Sequence, residues 1–85
     1  MRDTSLEAYD QLKPKLGKRQ NIIYEAIRRH PDLTAAEIAY VLGHSDPNYA
    51  RPRIHELEAT GLVVSSGRRA CTRSKVAAHT WKVKP

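Results

Sequence analysis

The sequence predicts an α+β fold with a three-helix core, a C-terminal β-hairpin and an extra helical arm at the N-terminus. Up to Thr60 the apolar residues recur at helical spacing, whereas β-branched and alternating residues fill Leu62–Val64 and Ala77–Val83. The 85 residues are the length of one small domain, so we expect one core and no two-domain enzyme.

The arm is predicted over residues 1–15, ahead of the main domain at residues 16–85. Leu6, Tyr9 and Leu12 are spaced for one face of a short helix. This face is only weakly apolar, so three outcomes stay open: the arm packs on the core, packs on a second subunit, or frays.

The first core helix is predicted at Gly17–Arg29. Its apolar residues fall at i, i+1, i+4 and i+5, which gathers them on one stripe of a helix. Pro31 disfavours helical geometry at the residue before it and so ends the helix. The predicted stripe consists of Ile22, Ile23, Ala26 and Ile27.

The second core helix carries two start signals. Thr34 and Glu37 form a capping box, in which each side chain binds the backbone N–H of the other, and Leu33 and Ile38 stand at the positions of a hydrophobic staple. Gly43 follows where a left-handed C-cap residue is favoured. We therefore expect about two helical turns, with an inner face of Ile38, Ala39 and Leu42.

The third core helix is predicted at about Asn48–Thr60. A proline deep inside a helix costs about 3 kcal/mol because it removes a hydrogen bond, so Pro52 belongs to a tight or distorted first turn. Gly61 ends the helix, and Leu57 and Leu62 meet across that cap. The inner face consists of Ala50, Ile54 and Leu57.

The hairpin is predicted to have two antiparallel strands, Leu62–Val64 and Ala77–Val83, with Trp81 facing the core. The connection between them, Ser65–Val76, is interpreted as a long mobile loop. It carries four basic residues: Arg68, Arg69, Arg73 and Lys75.

The net charge points to a polyanionic partner. Fifteen Lys and Arg against nine Asp and Glu give a net charge of +6 and a pI near 9.8. The excess lies in the second half, because the residues from His44 onward include eight basic and three acidic ones, and no acid follows Glu58. This distribution favours a nucleic acid as the partner.

Two stretches resemble winged helix-turn-helix proteins. Leu33–Gly43 resembles the signature "lT-x-x-eIA-x-x-lG" of winged-helix regulators, and Asn48–Val63 is similar to the recognition helix and first wing strand of MarR-like and small phage-type members. The resemblance covers Gly17–Val83. It implies a transcriptional regulator of phage or bacterial type that binds double-stranded DNA, with the third helix in the major groove and the wing on the backbone or in the minor groove.

The resemblance and the helical period together give candidate contact residues. A step of about 100° per residue turns the early part of the third helix outward. Arg and Asn are the side chains that read guanine and adenine edges, and basic loop residues neutralise phosphates. The candidate base readers are Asn48, Tyr49, Arg51, Arg53 and His55; the candidate wing and backbone contacts are Arg68, Arg69, Arg73 and Lys75, with Lys18, Arg19 and Thr34 at helix starts.

Other kinds of site are not indicated. The four histidines and Cys71 lack the close spacing of metal ligands, and no nucleophile with a paired base or Gly-rich phosphate loop is found. We expect no metal, no cofactor, no small-molecule substrate and no catalysis. A lone cysteine excludes an internal disulfide, and Cys71 is interpreted either as a small buried thiol or as a redox switch. No apolar run is long enough for a membrane span and no leader opens the chain, so we expect a cytoplasmic protein.

Two alternative functions stay open. A winged helix can serve as a protein assembly module, which would require an apolar exposed patch on the third helix. An RNA-binding module would require exposed stacking aromatics. Since a single winged helix covers only about 600 to 1,000 Å² of its own surface on DNA, a homodimer on a two-fold site is also expected.

Overall fold

The structure, a computed structural model, describes residues 9–84. It has the predicted α+β architecture, with the helices before the hairpin. Its helices are α1 (Lys18–Arg29), α2 (Ala35–Val41) and α3 (Arg51–Thr60), its strands are β1 (Leu33–Thr34), β2 (Val63–Ala70) and β3 (Ala77–Val83), and two short 3₁₀ turns lie at Lys13–Lys15 and Pro47–Tyr49.

Helix α1 begins after Gly17, whose N–H donates to Gln20 Oε1 at 2.8 Å. Its buried face differs from the predicted stripe at one position. Ile22 is 37% exposed, so its assignment to the core was wrong. Tyr24 is fully buried instead. The buried residues of the helix are Ile23, Tyr24, Ala26 and Ile27.

The arm explains why Tyr24 is buried. Residues 9–12 are helical, and the Tyr9 ring stacks on the Tyr24 ring with centroids 3.9 Å apart. The Tyr9 hydroxyl donates to Asn21 Oδ1 at 3.0 Å. Of the three outcomes left open, this part of the arm packs on the core; the rest of the predicted arm helix, including Leu6, lies outside the described residues.

The predicted capping box at the start of α2 is confirmed. Thr34 Oγ1 accepts the Glu37 N–H at 3.3 Å, and Glu37 Oε1 accepts the Thr34 N–H at 3.0 Å. The helix is followed by Gly43 at φ +87°, the left-handed region expected of it. Ile38 and Ala39 are buried as predicted.

Helix α3 starts later than predicted, at Arg51. The 3₁₀ turn at Pro47–Tyr49 replaces the first helical turn, and Pro52 falls within the first turn of α3, where its missing N–H costs no helical hydrogen bond. The helix ends at Gly61, at φ +83°, where the Leu62 N–H donates to the Leu57 carbonyl at 3.1 Å. This is the predicted Schellman-type cap.

The sheet differs from the predicted hairpin in two ways. It has three strands in the order β1-β3-β2, because Leu33 and Thr34 pair with Trp81 and Thr80. The first strand of the hairpin also runs on to Ala70, so the prediction of a long loop over Ser65–Val76 was wrong, and only residues 71–76 connect the strands. A register shift between Ser65 and Gly67 interrupts the pairing without ending it.

The core lies between the three helices and the sheet. Helix α3 contributes Ile54 and Leu57, and the sheet contributes Val63 and Trp81; all four are buried. Burial was predicted for Ile54, Leu57 and Trp81, and Val63 lies in the predicted strand Leu62–Val64. Trp81 is therefore a core residue whose edge reaches the surface between α3 and the hairpin. This position makes it the floor of the site described next.

Candidate nucleic-acid interface

A groove of about 230 Å³ runs between α3, the start of α2 and the hairpin. Arg51 and His55 line it from α3, and Arg68 and His79 line it from the hairpin. Among the described residues that line it, none is acidic. The groove thus brings the predicted recognition helix and one predicted wing arginine to a shared basic surface.

The first turn of α3 presents Arg51. Asp46 Oδ1 accepts the Asn48 backbone N–H at 2.9 Å and so caps the 3₁₀ turn that leads into the helix. The Asn48 side-chain oxygen accepts from Arg51 Nη1 at a long 3.4 Å. Because both side chains are exposed and this bond is weak, both remain available to an external partner.

Two histidines flank Trp81 at the floor of the groove. The His55 ring stands edge-on to Trp81 with centroids 6.0 Å apart, and the His79 ring lies at the same distance on the strand side. His79 Nδ1 is 3.0 Å from Ser65 Oγ. His79 was absent from the predicted site, although its spacing of two residues from Trp81 places both on one face of the strand.

The adjacent wing arginines point to different sides of β2. Arg68 pairs with His79 across the hairpin and lines the groove. Arg69 turns to α2, where its Nη1 and Nη2 lie 2.9 and 2.5 Å from the two oxygens of Glu37. The period of two along a strand accounts for this separation.

The buried carboxylate of Glu37 is the acceptor of a partly buried hydrogen-bond network. Its Oε2 accepts the Thr72 N–H at 3.0 Å and the Thr72 hydroxyl at 2.6 Å, in addition to the Arg69 guanidinium. The hydrogen bond from Arg69 holds the pKa of the Glu37 carboxyl far below its usual range, against the opposing effect of burial. Glu37 was predicted only as a helix cap; its link to the wing was not visible in the sequence.

The remaining predicted wing cations do not line the groove. The Arg73 guanidinium lies over the Tyr40 ring, 4.0 Å from its centroid, on the same side of the hairpin as Arg69. Lys75 is exposed and adopts φ +67°. Of the four predicted wing residues, only Arg68 lines the groove with α3.

The other flank of α3 carries a stacked column. The Tyr49 and His44 rings are 3.6 Å apart and nearly parallel, at 12°, and the Arg19 guanidinium lies 5.0 Å from the Tyr49 centroid. Arg53 Nε lies 3.1 Å from Glu56 Oε1. Two predicted base readers, Tyr49 and Arg53, therefore already have partners within the chain.

Two residues that the sequence analysis discussed are buried: Thr34, a predicted DNA backbone contact, and Cys71. Thr34 is 1% exposed, and its hydroxyl binds the Glu37 N–H and lies 3.0 Å from Cys71 Sγ. Of the two interpretations of Cys71, a small buried thiol or a redox switch, the structure agrees with the buried thiol. Burial raises the pKa of this thiol, but hydrogen bonds from Thr34, Ser74 and the Arg73 N–H outweigh that effect and lower the pKa to about 7.

Within residues 9–84, no group of three His, Cys, Asp or Glu side chains is close enough to hold a metal ion. Within the same range, no helix has both the length and the apolar character that crossing a membrane requires.

Comparison with known proteins identifies the fold. No protein-family profile matches the chain, and no curated protein matches its sequence. The crystal structure of a MarR family transcription regulator superposes with a TM-score of 0.65 over 87% of this chain, at 22% identity. This chain has the winged-helix fold. It spans 46% of the length of that regulator, so the winged helix corresponds to about half of the matched protein.

Within the winged-helix fold, α2 and α3 form the helix-turn-helix and the β2–β3 hairpin is the wing. The resemblance noted in Leu33–Gly43 and Asn48–Val63 falls on these elements. The groove therefore lies between the second helix of the helix-turn-helix and the wing.

Proposed function

We propose that this chain binds double-stranded DNA through α3 and the wing. The observation that carries the proposal is the shared groove, in which Arg51 of α3 and Arg68 of the wing flank a surface without acidic lining residues. A helix that fits the major groove and a basic strand beside it supply the two kinds of contact that DNA recognition needs, base edges and phosphates.

Base reading is assigned first to Asn48, Arg51 and His55. All three are exposed on the turn before α3 or on its outward face. Arg reads guanine O6 and N7, and Asn reads adenine N6 and N7, each through two hydrogen bonds. Tyr49 and Arg53 are assigned second, because each must leave an intramolecular partner to reach a base edge.

Phosphate contacts are assigned to cations on both flanks of α3. Arg68 and Lys75 lie on the wing side, and Lys18 and Arg19 lie at the N-terminus of α1, where the Arg19 guanidinium is 5.0 Å from the Tyr49 centroid. This arrangement lets the backbone be held on both sides of the recognition helix. Arg69, Arg73 and Thr34 are assigned structural contacts within the chain instead.

The position of the exposed apolar residues favours DNA over a protein partner at α3. The large exposed hydrophobic residues of the described chain lie outside α3; they are Ile22, Tyr40, Val41 and Val76. An assembly module docking through α3 would need such residues on its outward face.

The experiment is a binding-site selection from random duplex DNA, followed by competition of the selected duplex with single-stranded DNA and RNA of the same sequence at fixed salt. We expect enrichment of a short duplex sequence and at least tenfold weaker binding of both single strands. No duplex enrichment, or preference for a single strand, would contradict the proposal.

The proposal extends to the role of the whole protein. We propose a transcriptional regulator of phage or bacterial type that acts in the cytoplasm by binding, without catalysis. We also propose a homodimer, since one module covers too little DNA for tight specificity. Light scattering at micromolar concentration tests the dimer: a monomer mass would contradict it.

A further inference from the structure

We propose that Glu37 is a positioning residue that fixes the wing relative to α3 and thereby sets DNA affinity without touching DNA. This inference rests on the proposed DNA binding and adds a residue to it that neither the charge pattern nor the comparison indicates.

The carboxylate collects hydrogen bonds from three separate parts of the chain. Glu37 itself is only 6% exposed. It accepts one bond from the Thr34 N–H at the end of β1, two from the Arg69 guanidinium in β2, and two from Thr72 in the connection between β2 and β3. Arg69 adds a bond from Nη2 to the Asp32 carbonyl at 2.9 Å. One side chain in α2 therefore ties the far half of the wing to the helix-turn-helix.

The residues that end β2 are not held by apolar packing. The four residues that end β2, Gly67 to Ala70, are all exposed, whereas Val63 at the start of the strand is buried. Hydrogen bonds to a buried charged group contribute more than bonds between neutral groups. The Glu37 network thus connects the end of β2 to the helices, together with Cys71, which directly follows β2, is buried and lies 3.0 Å from Thr34 Oγ1.

The network controls the placement of Arg68. Arg68 directly precedes Arg69, and the planar peptide between them means that anchoring one side chain on α2 fixes the direction of the other toward the groove. If the contact between Arg69 and Glu37 is lost, Arg68 is no longer held at the position from which it can contact the DNA backbone while Arg51 contacts the bases.

Charge and position predict opposite results for one substitution. Glu37→Gln removes a negative charge and raises the net charge from +6 to +7, so electrostatics alone predicts tighter DNA binding. Loss of wing positioning predicts weaker binding. Glutamine still accepts the Thr34 N–H in a capping box, so the start of α2 is preserved.

The test measures the affinity of the full chain for the selected duplex by fluorescence anisotropy at 15 °C, for wild type, Glu37→Gln and the matched control Asp10→Asn. Asp10 is an exposed carboxylate of the arm, outside α2, α3 and the wing. We expect Glu37→Gln to bind about five- to thirtyfold more weakly, the range that corresponds to about 1 to 2 kcal/mol of binding free energy. Asp10→Asn should bind as tightly as wild type or more tightly.

The salt dependence separates positioning from general loss of structure. A displaced Arg68 removes one phosphate contact, so the slope of log affinity against log salt should become shallower by about 0.9 in Glu37→Gln despite its higher charge. In the free protein, hydrogen exchange at the Thr72 N–H should accelerate more than at amides of α3. Both changes are expected with an unchanged helical circular dichroism spectrum at 15 °C.

A second variant covers the case in which Glu37→Gln does not fold. Thr72→Val removes the 2.6 Å hydroxyl bond at constant charge and similar shape, and should also weaken DNA binding. If Glu37→Gln folds and keeps the wild-type affinity and salt slope, the positioning role is overturned and DNA binding is left intact. If Glu37→Gln does not fold, wild-type affinity in Thr72→Val has the same meaning. Failure of the wild-type chain to bind any duplex would instead overturn the proposed function, and the positioning role with it.

Discussion

The salt dependence expected of the proposed DNA binding follows from which cations already have partners within the chain. Of the predicted backbone contacts, Arg69 pairs with Glu37 and Arg73 lies on Tyr40. The cations that remain for phosphates are Lys18, Arg68, Lys75 and Arg19. The Arg19 guanidinium is kept because it lies farther from its ring, 5.0 Å from the Tyr49 centroid, than Arg73 does from Tyr40, at 4.0 Å. At about 0.9 released counterions per contact, four contacts give a slope of log affinity against log salt of about −3.6. Raising monovalent salt from about 50 to about 200 mM should therefore weaken binding by roughly 150-fold.

The assay is a fluorescence anisotropy titration of a labelled duplex at four salt concentrations in this range. Arg68→Gln should make the slope shallower by about 0.9 and weaken preferred and random duplexes by the same factor. Arg29→Gln is the matched control, because Arg29 is an exposed arginine at the end of α1 that lines a second groove, between α1 and α2. Its slope should equal that of wild type.

Two results would refute this reasoning. A slope that does not change with salt would remove phosphate contacts from the mechanism. Equal changes of slope in Arg68→Gln and Arg29→Gln would mean that the salt dependence reflects the net charge of the protein and not the position of Arg68 in the groove.

Three further predictions concern specificity and stability. Arg51→Ala should cost about 1 to 3 kcal/mol on the selected duplex and relax its preference at one base pair, measured by repeating the selection; an equal loss on random DNA would argue against base reading. Gly61→Ala should lower the melting temperature by about 4 to 8 °C, since φ is +83° and a Cβ meets no atom within 4 Å, so only backbone strain of about 1 kcal/mol is added. Because the folded-state pKa of Glu37 is depressed, the ionised carboxylate contributes its full stabilisation of the fold above the unfolded pKa of about 4.3, and this contribution is lost as pH falls below that value. The difference in melting temperature between wild type and Glu37→Gln should therefore narrow from pH 6 toward pH 2. A constant difference would contradict this prediction.

The helices could be predicted because their signals are local. Thr34 and Glu37 stand three residues apart, and the cap at Gly61 depends on contacts within one turn. Each signal therefore works without knowledge of the rest of the chain. The error in the buried face of α1, Ile22 in place of Tyr24, arose because Tyr9 of the arm covers Tyr24 from a distance of 15 residues.

The sheet was harder to predict because its pairing is not local. Strand β1 has two residues, too few to show alternation, and exists because Leu33 and Thr34 lie beside β3. The polar residues from Ser65 to Ala70 lack a strand pattern and are held by main-chain pairing with β3. Sequence patterns report side-chain burial, whereas these segments are fixed by backbone hydrogen bonds.

The wing illustrates why a cluster of charges in a sequence does not define a binding surface. Arg68 and Arg69 are neighbours with the same side chain, yet one lines the groove and the other binds Glu37. Once the segment is a strand and not a loop, the period of two assigns them to opposite sides, and the buried acid decides which side becomes structural. Glu37, which also caps α2, thus occupies Arg69 and leaves Arg68 as the neighbouring arginine that lines the groove.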